Sequence, residues 1–275
     1  MSDGLRFAEK SDIPALCDIW EVCFNDIEDY VRFFYRENFD FVTTSVYAVD
    51  GRPASMLHWF DACFVDGDKR RKAKYLYAGG TLPEYRKNGY YGAVIRYVLD
   101  YADKNGYALF GKPANQPLIP YYRTFGFISD ACFKLLRVSP GGRIPLKTGP
   151  ISPEEYNRMR NNAFRSHPHV EWPDRYVRYC FAENEFLGGR TLTLKMDGED
   201  HFLMGGPQGE VLRIAETDLS AEQLIRAGGA LCELFGTASI EAYMPDFSCG
   251  EGEEIVSSVI YNAPLCNTYV NLLLI

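Results

Sequence analysis

The chain has 275 residues, 47% of them hydrophobic, which is enough apolar content for two sizeable cores. Its formal net charge of −8 argues against a nucleic-acid partner, which calls for a basic face, and suits a cationic substrate. No apolar run is long and uncharged enough to cross a membrane, and the opening "MSDGLRFAEK" has no apolar secretion-signal core, so a cytoplasmic protein is expected.

Eight cysteines lie between Cys17 and Cys266 without one C-x-x-C pair. That usage reads as reduced, buried thiols rather than a disulfide frame or a zinc site. Of the four histidines, His167 and His169 flank Pro168 and read as a polar loop rather than a ligand pair, so no metal is expected.

In chain order, "LRFAEK" predicts a first strand. Ser11 or Asp12 can cap the next helix, whose Ile13, Leu16, Cys17, Trp20, Cys23 and Phe24 keep helical spacing. A second helix runs through "IEDYVRFFYRENF". Three strands follow, joined by turns at "DGRP" and "DGDK". The helix after Gly89 carries Val94, Tyr97, Val98, Tyr101 and Ala102 on one face, and Gly106 closes it. "YALFGKP" is a strand, "QPLIPYYRTFGF" a short helix ending at Gly126, and "ACFKLLRVS" the strand that completes the sheet. The expected order is β-α-α-β-β-β-α-β-α-β, an α/β (α+β) mixed sheet with helices on its faces.

The Pro- and Gly-rich "SPGGRIPLKTGP" predicts a linker, giving domains over 1–140 and 151–275 joined by 141–150. Beyond it the chain starts again. Ser152, Pro153 and Glu155 form the signature of a capped helix start. "YVRFFYREN" at 30–38 recurs as "YVRYCFAEN" at 176–184, in both halves on the second helix. Later, "EVLRIAET", "SAEQLIRAGGALCELFG" and "ASIEAYMP" repeat the order strand, helix, strand. An internal duplication is the reading these matches support.

The most informative stretch is "GGTLPEYRKNGYYGAVI", residues 79–95. A strand that stops at a loop and feeds a helix leaves the first helical N–H groups unpaired and pointing forward. With the helix dipole they form an anion site, and a diphosphate is the usual guest. Gly89 lets phosphate oxygens approach the backbone, and Arg86 can add charge-assisted contacts. By itself R-x-x-G reads first as a solvated turn with a charge cluster.

Together with a second motif it resembles the GNAT superfamily of acyl-CoA-dependent N-acyltransferases, whose cofactor loop reads Q/R-x-x-G-x-G/A. Arg86, Lys87, Asn88, Gly89 and Tyr90 fit. Tyr91 stands where the family has Gly or Ala, with Gly92 following. The form "TLPEYR-x-x-GY" is similar to the multidomain, tandem GNAT branch typified by the Eis aminoglycoside acetyltransferases. The second motif, "ANQPLIPYYRTFGF", keeps the family register of Asn115, Tyr122 seven residues on, then Gly126 and Phe127. This likeness covers the first half strongly; the second half resembles the branch's degenerate GNAT-like domain.

The resemblance implies direct acyl transfer from acetyl-CoA to the primary amine of a small acceptor. The strand around Ala78, Gly79, Gly80 and Thr81 would offer backbone groups to the pantetheine and thioester. Tyr122 would be the general acid for the departing thiolate, and Asn115 would help hold the cofactor. Tyr121, one residue off on a helix, points elsewhere and reads as packing. No residue claims the role of general base; His58 and Asp61 read as a structural pair or solvent-facing residues, and Glu84 as scaffold. Trp59, Phe60 and Tyr47 are expected near the acceptor cleft. Two non-enzymatic readings stand beside this one: an acyl-CoA-binding module without activity, and a scaffold that keeps the fold for a partner.

Overall fold

The computed structural model describes residues 3–139, 141, 144–248, 252–263 and 268–272. The elements are β1 Gly4–Phe7, α1 Ile13–Phe24, α2 Glu28–Asn38, β2 Thr43–Val49, β3 Arg52–Asp66, β4 Lys69–Thr81, α3 Tyr90–Asn105, β5 Ala108–Gly111 and α4 Ile119–Arg123. They continue with β6 Ile128–Val138, β7 Lys147–Pro150, α5 Pro153–Phe164, β8 His169–Glu171, α6 Asp174–Phe186, β9 Arg190–Met196, β10 Glu199–Gln208, β11 Val211–Thr217, α7 Ala221–Phe235, β12 Ser239–Met244 and β13 Glu253–Tyr261. Through β6 the observed order is the one the sequence predicts.

Two compact units form, one of Met1–Cys63, Arg71–Ile128 and Val259–Ala263, the other of Phe64–Arg70, Ser129–Ser258 and Pro264–Ile275. In the first, strands run in the order β1-β2-β3-β4-β5, with β1–β2 and β2–β3 antiparallel and β4–β5 parallel. Both faces of this sheet are covered, and β3 shows how. Successive side chains on a strand point to opposite faces. His58 lies among Trp20, Phe34 and Tyr35 of α1 and α2, while Trp59 meets Tyr101 of α3. Both are essentially inaccessible. Trp59 and Phe60 are therefore core residues, not walls of an acceptor cleft; Tyr47 stacks on Tyr90 at 4.3 Å.

The second unit repeats this pattern. β9, β10 and β11 are antiparallel neighbours, and β11 pairs in parallel with β12. The recurring nine-residue segments share four buried positions: Tyr30, Val31, Phe33 and Phe34 in α2, and Tyr176, Val177, Tyr179 and Cys180 in α6. The turns match too. Asp50-Gly51 joins β2 to β3 and Asp197-Gly198 joins β9 to β10, all four residues with positive φ, as a two-residue hairpin turn of this hand demands.

Several expectations are revised. β6 does not close the first sheet: it pairs antiparallel with β12 in the second unit. The place beside β5 is taken by Val259, Ile260 and Tyr261 from β13. Within the expected linker, Lys147–Pro150 forms strand β7, paired with β9. Asp12 does not cap α1; its carboxylate takes up Arg6 and the Glu9 amide. Of five described free cysteines only Cys180 and Cys232 are buried, with Cys17, Cys23 and Cys63 half-buried. His169 is no loop residue: it sits buried on β8, and His167 stacks flat on Phe247 at 3.7 Å.

The second core holds a fully buried ion pair, Arg160 Nε donating to Glu216 Oε2 at 2.9 Å. Tyr156 donates to the same oxygen at 2.9 Å, and Arg160 Nη1 donates to the Val170 carbonyl. Removing one partner of such a pair strands the other charge in the core. Glu216→Ala is expected to destabilise the chain by about 3–5 kcal/mol, read as a drop in the denaturant midpoint at unchanged m-value.

Candidate active site

β4 and β5 run together for four residues and then part. Their parallel pairing ends at Leu76–Gly111, and β4 continues to Thr81. Just past the parting, Ala78 has φ of 46°, a conformation that only a constrained non-glycine residue holds. The strand then carries Gly79 and Gly80. A Cβ on Gly79 would lie 2.2 Å from the Tyr91 hydroxyl, and one on Gly80 would lie 2.9 Å from Cys23 Sγ. The glycine doublet therefore exists to admit two side chains onto the strand. Beyond it, Ser55 donates to the Gly80 carbonyl at 3.0 Å and bonds the Thr81 hydroxyl at 2.9 Å. The Thr81 carbonyl accepts from Cys23 Sγ at 3.3 Å and from Arg86 Nε at 3.1 Å.

The chain crosses from Thr81 to α3 through a short 3-10 turn, Pro83–Tyr85, which leaves Glu84 exposed. Asn88 ties the loop by donating to the Tyr85 carbonyl at 3.2 Å. Gly89 occupies the N-cap of α3 at φ 80°, and no side chain caps the helix. Its first N–H groups stay available. A cleft of about 380 Å³ opens there, lined by Thr81, Tyr85, Arg86, Lys87, Gly89, Tyr90, Tyr91, Gly92 and Tyr121. Arg86 and Lys87 are exposed on its rim. Two cations, a left-handed glycine and an open helix start are the chemistry a diphosphate group needs.

Tyr122 is fixed by the turn that follows it. Gly126, at φ 87°, closes the turn that follows α4. The Phe127 amide returns to the Tyr122 carbonyl at 3.4 Å, and the buried Phe127 ring meets the Tyr122 ring edge-on at 5.7 Å. This is a helix-ending motif closed by a hydrophobic contact, and it accounts for the spacing of tyrosine, glycine and phenylalanine. The Tyr122 hydroxyl lies 3.0 Å from that of Tyr91. Burial raises the Tyr122 phenol above its ordinary value while the bond to Tyr91 pulls it down, so it is protonated at neutral pH.

Residues 4–128 match the family model of an acetyltransferase (GNAT) domain. The chain carries a GNAT domain.

The fold agrees over nearly the whole length. A probable N-acyltransferase from Enterococcus faecalis V583 superposes with a TM-score of 0.72 at 12% identity, over 94% of this chain and 72% of that one. A GCN5-related N-acetyltransferase from Anabaena variabilis gives 0.72 at 14%, over 93% and 72%. Eis1 from Mycobacterium abscessus gives 0.65 at 12%, over 94% and 73%. No curated protein sequence matches the chain.

Within the GNAT domain, seven expected residues line one cleft: Thr81, Arg86, Lys87, Gly89, Tyr90, Tyr91 and Gly92. Ala78, Gly79, Gly80 and Asn88 stand behind it on the strand and loop. Asn115 is exposed at the start of the turn Gln116–Leu118, and its side chain caps nothing. Tyr122 reaches the group through Tyr91. Tyr121 does not point away: its exposed ring lines the cleft, parallel to Tyr91 at 6.2 Å. Cys23 and Ser55 were not anticipated. Two adjacent glycines inside a strand were the signal that something approaches its backbone.

His58 and Asp61 are not a pair. Asp61 Oδ1 accepts from Lys74 at 2.5 Å, and His58 Nε2 faces the Tyr35 hydroxyl at 3.1 Å. Complete burial pushes the His58 imidazole down to about 3, against the opposing pull of the Tyr77 and Ala78 backbone. It is neutral throughout the physiological range.

The second unit lacks the open helix start. Ser220 caps α7 by accepting from the Gln223 amide at 3.2 Å, and Gln223 returns the bond to Ser220. Asp218, just before this helix, accepts from the Phe202 amide and from His201. Gly228 and Gly229 are buried in mid-helix.

Two outcomes follow. Calorimetric titration with CoA is expected to show one site per chain. Gly89→Asp, which sets a carboxylate at the helix start, should remove the heat. The His58 shift is to a value below that of the unfolded chain, so its stabilising effect is full above pH 6.5 and lost as pH falls towards 3. Unfolding free energy should drop across that window by about 1.4 kcal/mol per pH unit from this group. Denaturant titrations of His58→Gln should show a correspondingly flatter dependence.

Proposed function

We propose that the first unit is the catalytic domain of an acetyl-CoA-dependent N-acetyltransferase that acetylates a primary amine of a small acceptor by direct transfer. The observation that carries this reading is the uncapped start of α3, with Arg86 and Lys87 beside it and Tyr122 held one side chain away. The second unit, whose corresponding helix is already capped, is proposed as a degenerate, tandem GNAT-like partner that binds no cofactor.

When bound, acetyl-CoA supplies an acyl group activated as a thioester. Arg86, Lys87 and the first amides of α3 bind its diphosphate. Backbone groups of residues 78–81, past the parting of β4 from β5, orient the pantetheine and polarise the thioester carbonyl. The Tyr122 hydroxyl gives its proton to the sulfur as the carbon–sulfur bond breaks. No described side chain is assigned as base: His58 is sealed in the core and Asp61 is paired with Lys74. The acidic chain, at −8, suits a cationic acceptor. Unbridged thiols at Cys17, Cys23, Cys63, Cys180 and Cys232 accord with a cytoplasmic setting.

One observation favours a second reading, an acyl-CoA-binding module without turnover: Tyr91 seats its ring against Gly79, on the strand that would receive the pantetheine. Thiol release from acetyl-CoA against a panel of polyamines, aminoglycosides, amino acids and peptide N-termini separates the two. The enzyme reading expects turnover with at least one acceptor, reduced about 10²–10⁴-fold by Tyr122→Phe with cofactor affinity retained. Tight CoA binding with no thiol release from any acceptor would establish the module.

A further inference from the structure

Position 91 is where this chain departs from the small residue of its family's loop, and the structure gives that departure a partner. The Tyr91 hydroxyl lies 3.0 Å from the Tyr122 hydroxyl. Its tip rests on Gly79 so closely that a methyl group there would overlap it at 2.2 Å. Its ring lies parallel to that of Tyr121 at 6.2 Å and 16°, and Tyr121 is in turn held edge-on by Phe125 at 5.1 Å. A phenol seated this way has few rotamers open to it, so its hydroxyl is presented to one place. Only a glycine at 79 allows the arrangement, which couples two positions twelve apart in the sequence to a third on α4.

We propose that Tyr91 is a positioning residue for Tyr122, its hydroxyl donating to the Tyr122 oxygen so that the Tyr122 proton is turned towards the departing sulfur. The inference rests on the role proposed for Tyr122. In the step itself, the Tyr122 O–H bond breaks and an S–H bond forms on the thiolate. The electron pair stays on the Tyr122 oxygen, where the Tyr91 hydrogen bond becomes charge-assisted and so stronger. Solvent returns the proton after thiol release. Burial raises both phenols above their ordinary value, and at Tyr122 the bond to Tyr91 opposes that rise. A hydrogen bond donated to the Tyr122 oxygen stabilises its phenolate, which makes proton transfer to the departing sulfur more favourable than burial alone would leave it.

Tyr91→Phe keeps the ring on Gly79 and removes only the hydroxyl. Turnover is expected to fall about 10–100-fold, with KM for acetyl-CoA within about twofold of wild type if the ring alone serves binding. Without the donor, Tyr122 becomes a weaker acid. The basic limb of the kcat profile, where activity is lost as Tyr122 ionises, should therefore move to higher pH. NMR of protein labelled with 13C at the tyrosine ζ carbon reads the same change without any acceptor: the Tyr122 resonance, assigned by its loss in Tyr122→Phe, should titrate at higher pH in Tyr91→Phe. A Tyr122 titration and basic limb unmoved by Tyr91→Phe would overturn the inference while leaving Tyr122 as acid if Tyr122→Phe is itself impaired. Near-normal turnover of Tyr122→Phe would overturn both.

Discussion

Parallel strands hold together only while their ladders stay in register, and here the ladder between β4 and β5 lasts four residues. Everything in the first unit that bears on chemistry is arranged around its end. Past Leu76 the backbone of β4 is released from β5, Ala78 turns it through a left-handed conformation, and two glycines expose it to approach. On one side Cys23 of α1 comes down onto Gly80; on the other Tyr91 of α3 comes down onto Gly79. The strand is thus a rail with side chains fitted to it.

The same constraint orders the core beneath. β3 must be largely apolar on both faces because helices cover both, and His58 is the one titratable side chain fully buried in that run. Sealed against Trp20 and Phe34, it has the Tyr35 hydroxyl for one ring nitrogen and the backbone of the Ala78 bend nearby. Its neutral imidazole acts as a rigid block under the bend. The strain of a left-handed alanine is sustained by a tightly packed neighbourhood rather than by the strand itself.

Most of the first unit was legible in the sequence because local signals and tertiary need agreed there: helical spacing in α1, Asp-Gly turns, a glycine at each end of α3. The register of Asn115, Tyr122 and Gly126 was legible only through the family likeness, and the spacing of the last two has its physical basis in one short helix and its closing turn. Long-range facts left no local trace. Nothing in "ACFKLLRVS" says that β6 pairs with β12, since strand propensity does not name a partner. His58 and Asp61, three apart on a strand, fall on opposite faces, which alternation alone could have shown. The partnership of Tyr91 with Gly79 was hidden because each residue reads as an anomaly until the other is placed against it.

The strand that flanks β5 has a consequence for how the chain comes to be folded at all. Leu109, Phe110 and Gly111 acquire their antiparallel neighbour from Val259, Ile260 and Tyr261, roughly 150 residues later in synthesis. At 5–20 residues per second a ribosome takes roughly 7–30 s to cover that distance. During this interval β5, a wholly apolar segment, has an open edge on that side, the kind of template on which nascent chains associate wrongly. Until the far end arrives, that edge of the first half is open to mispairing.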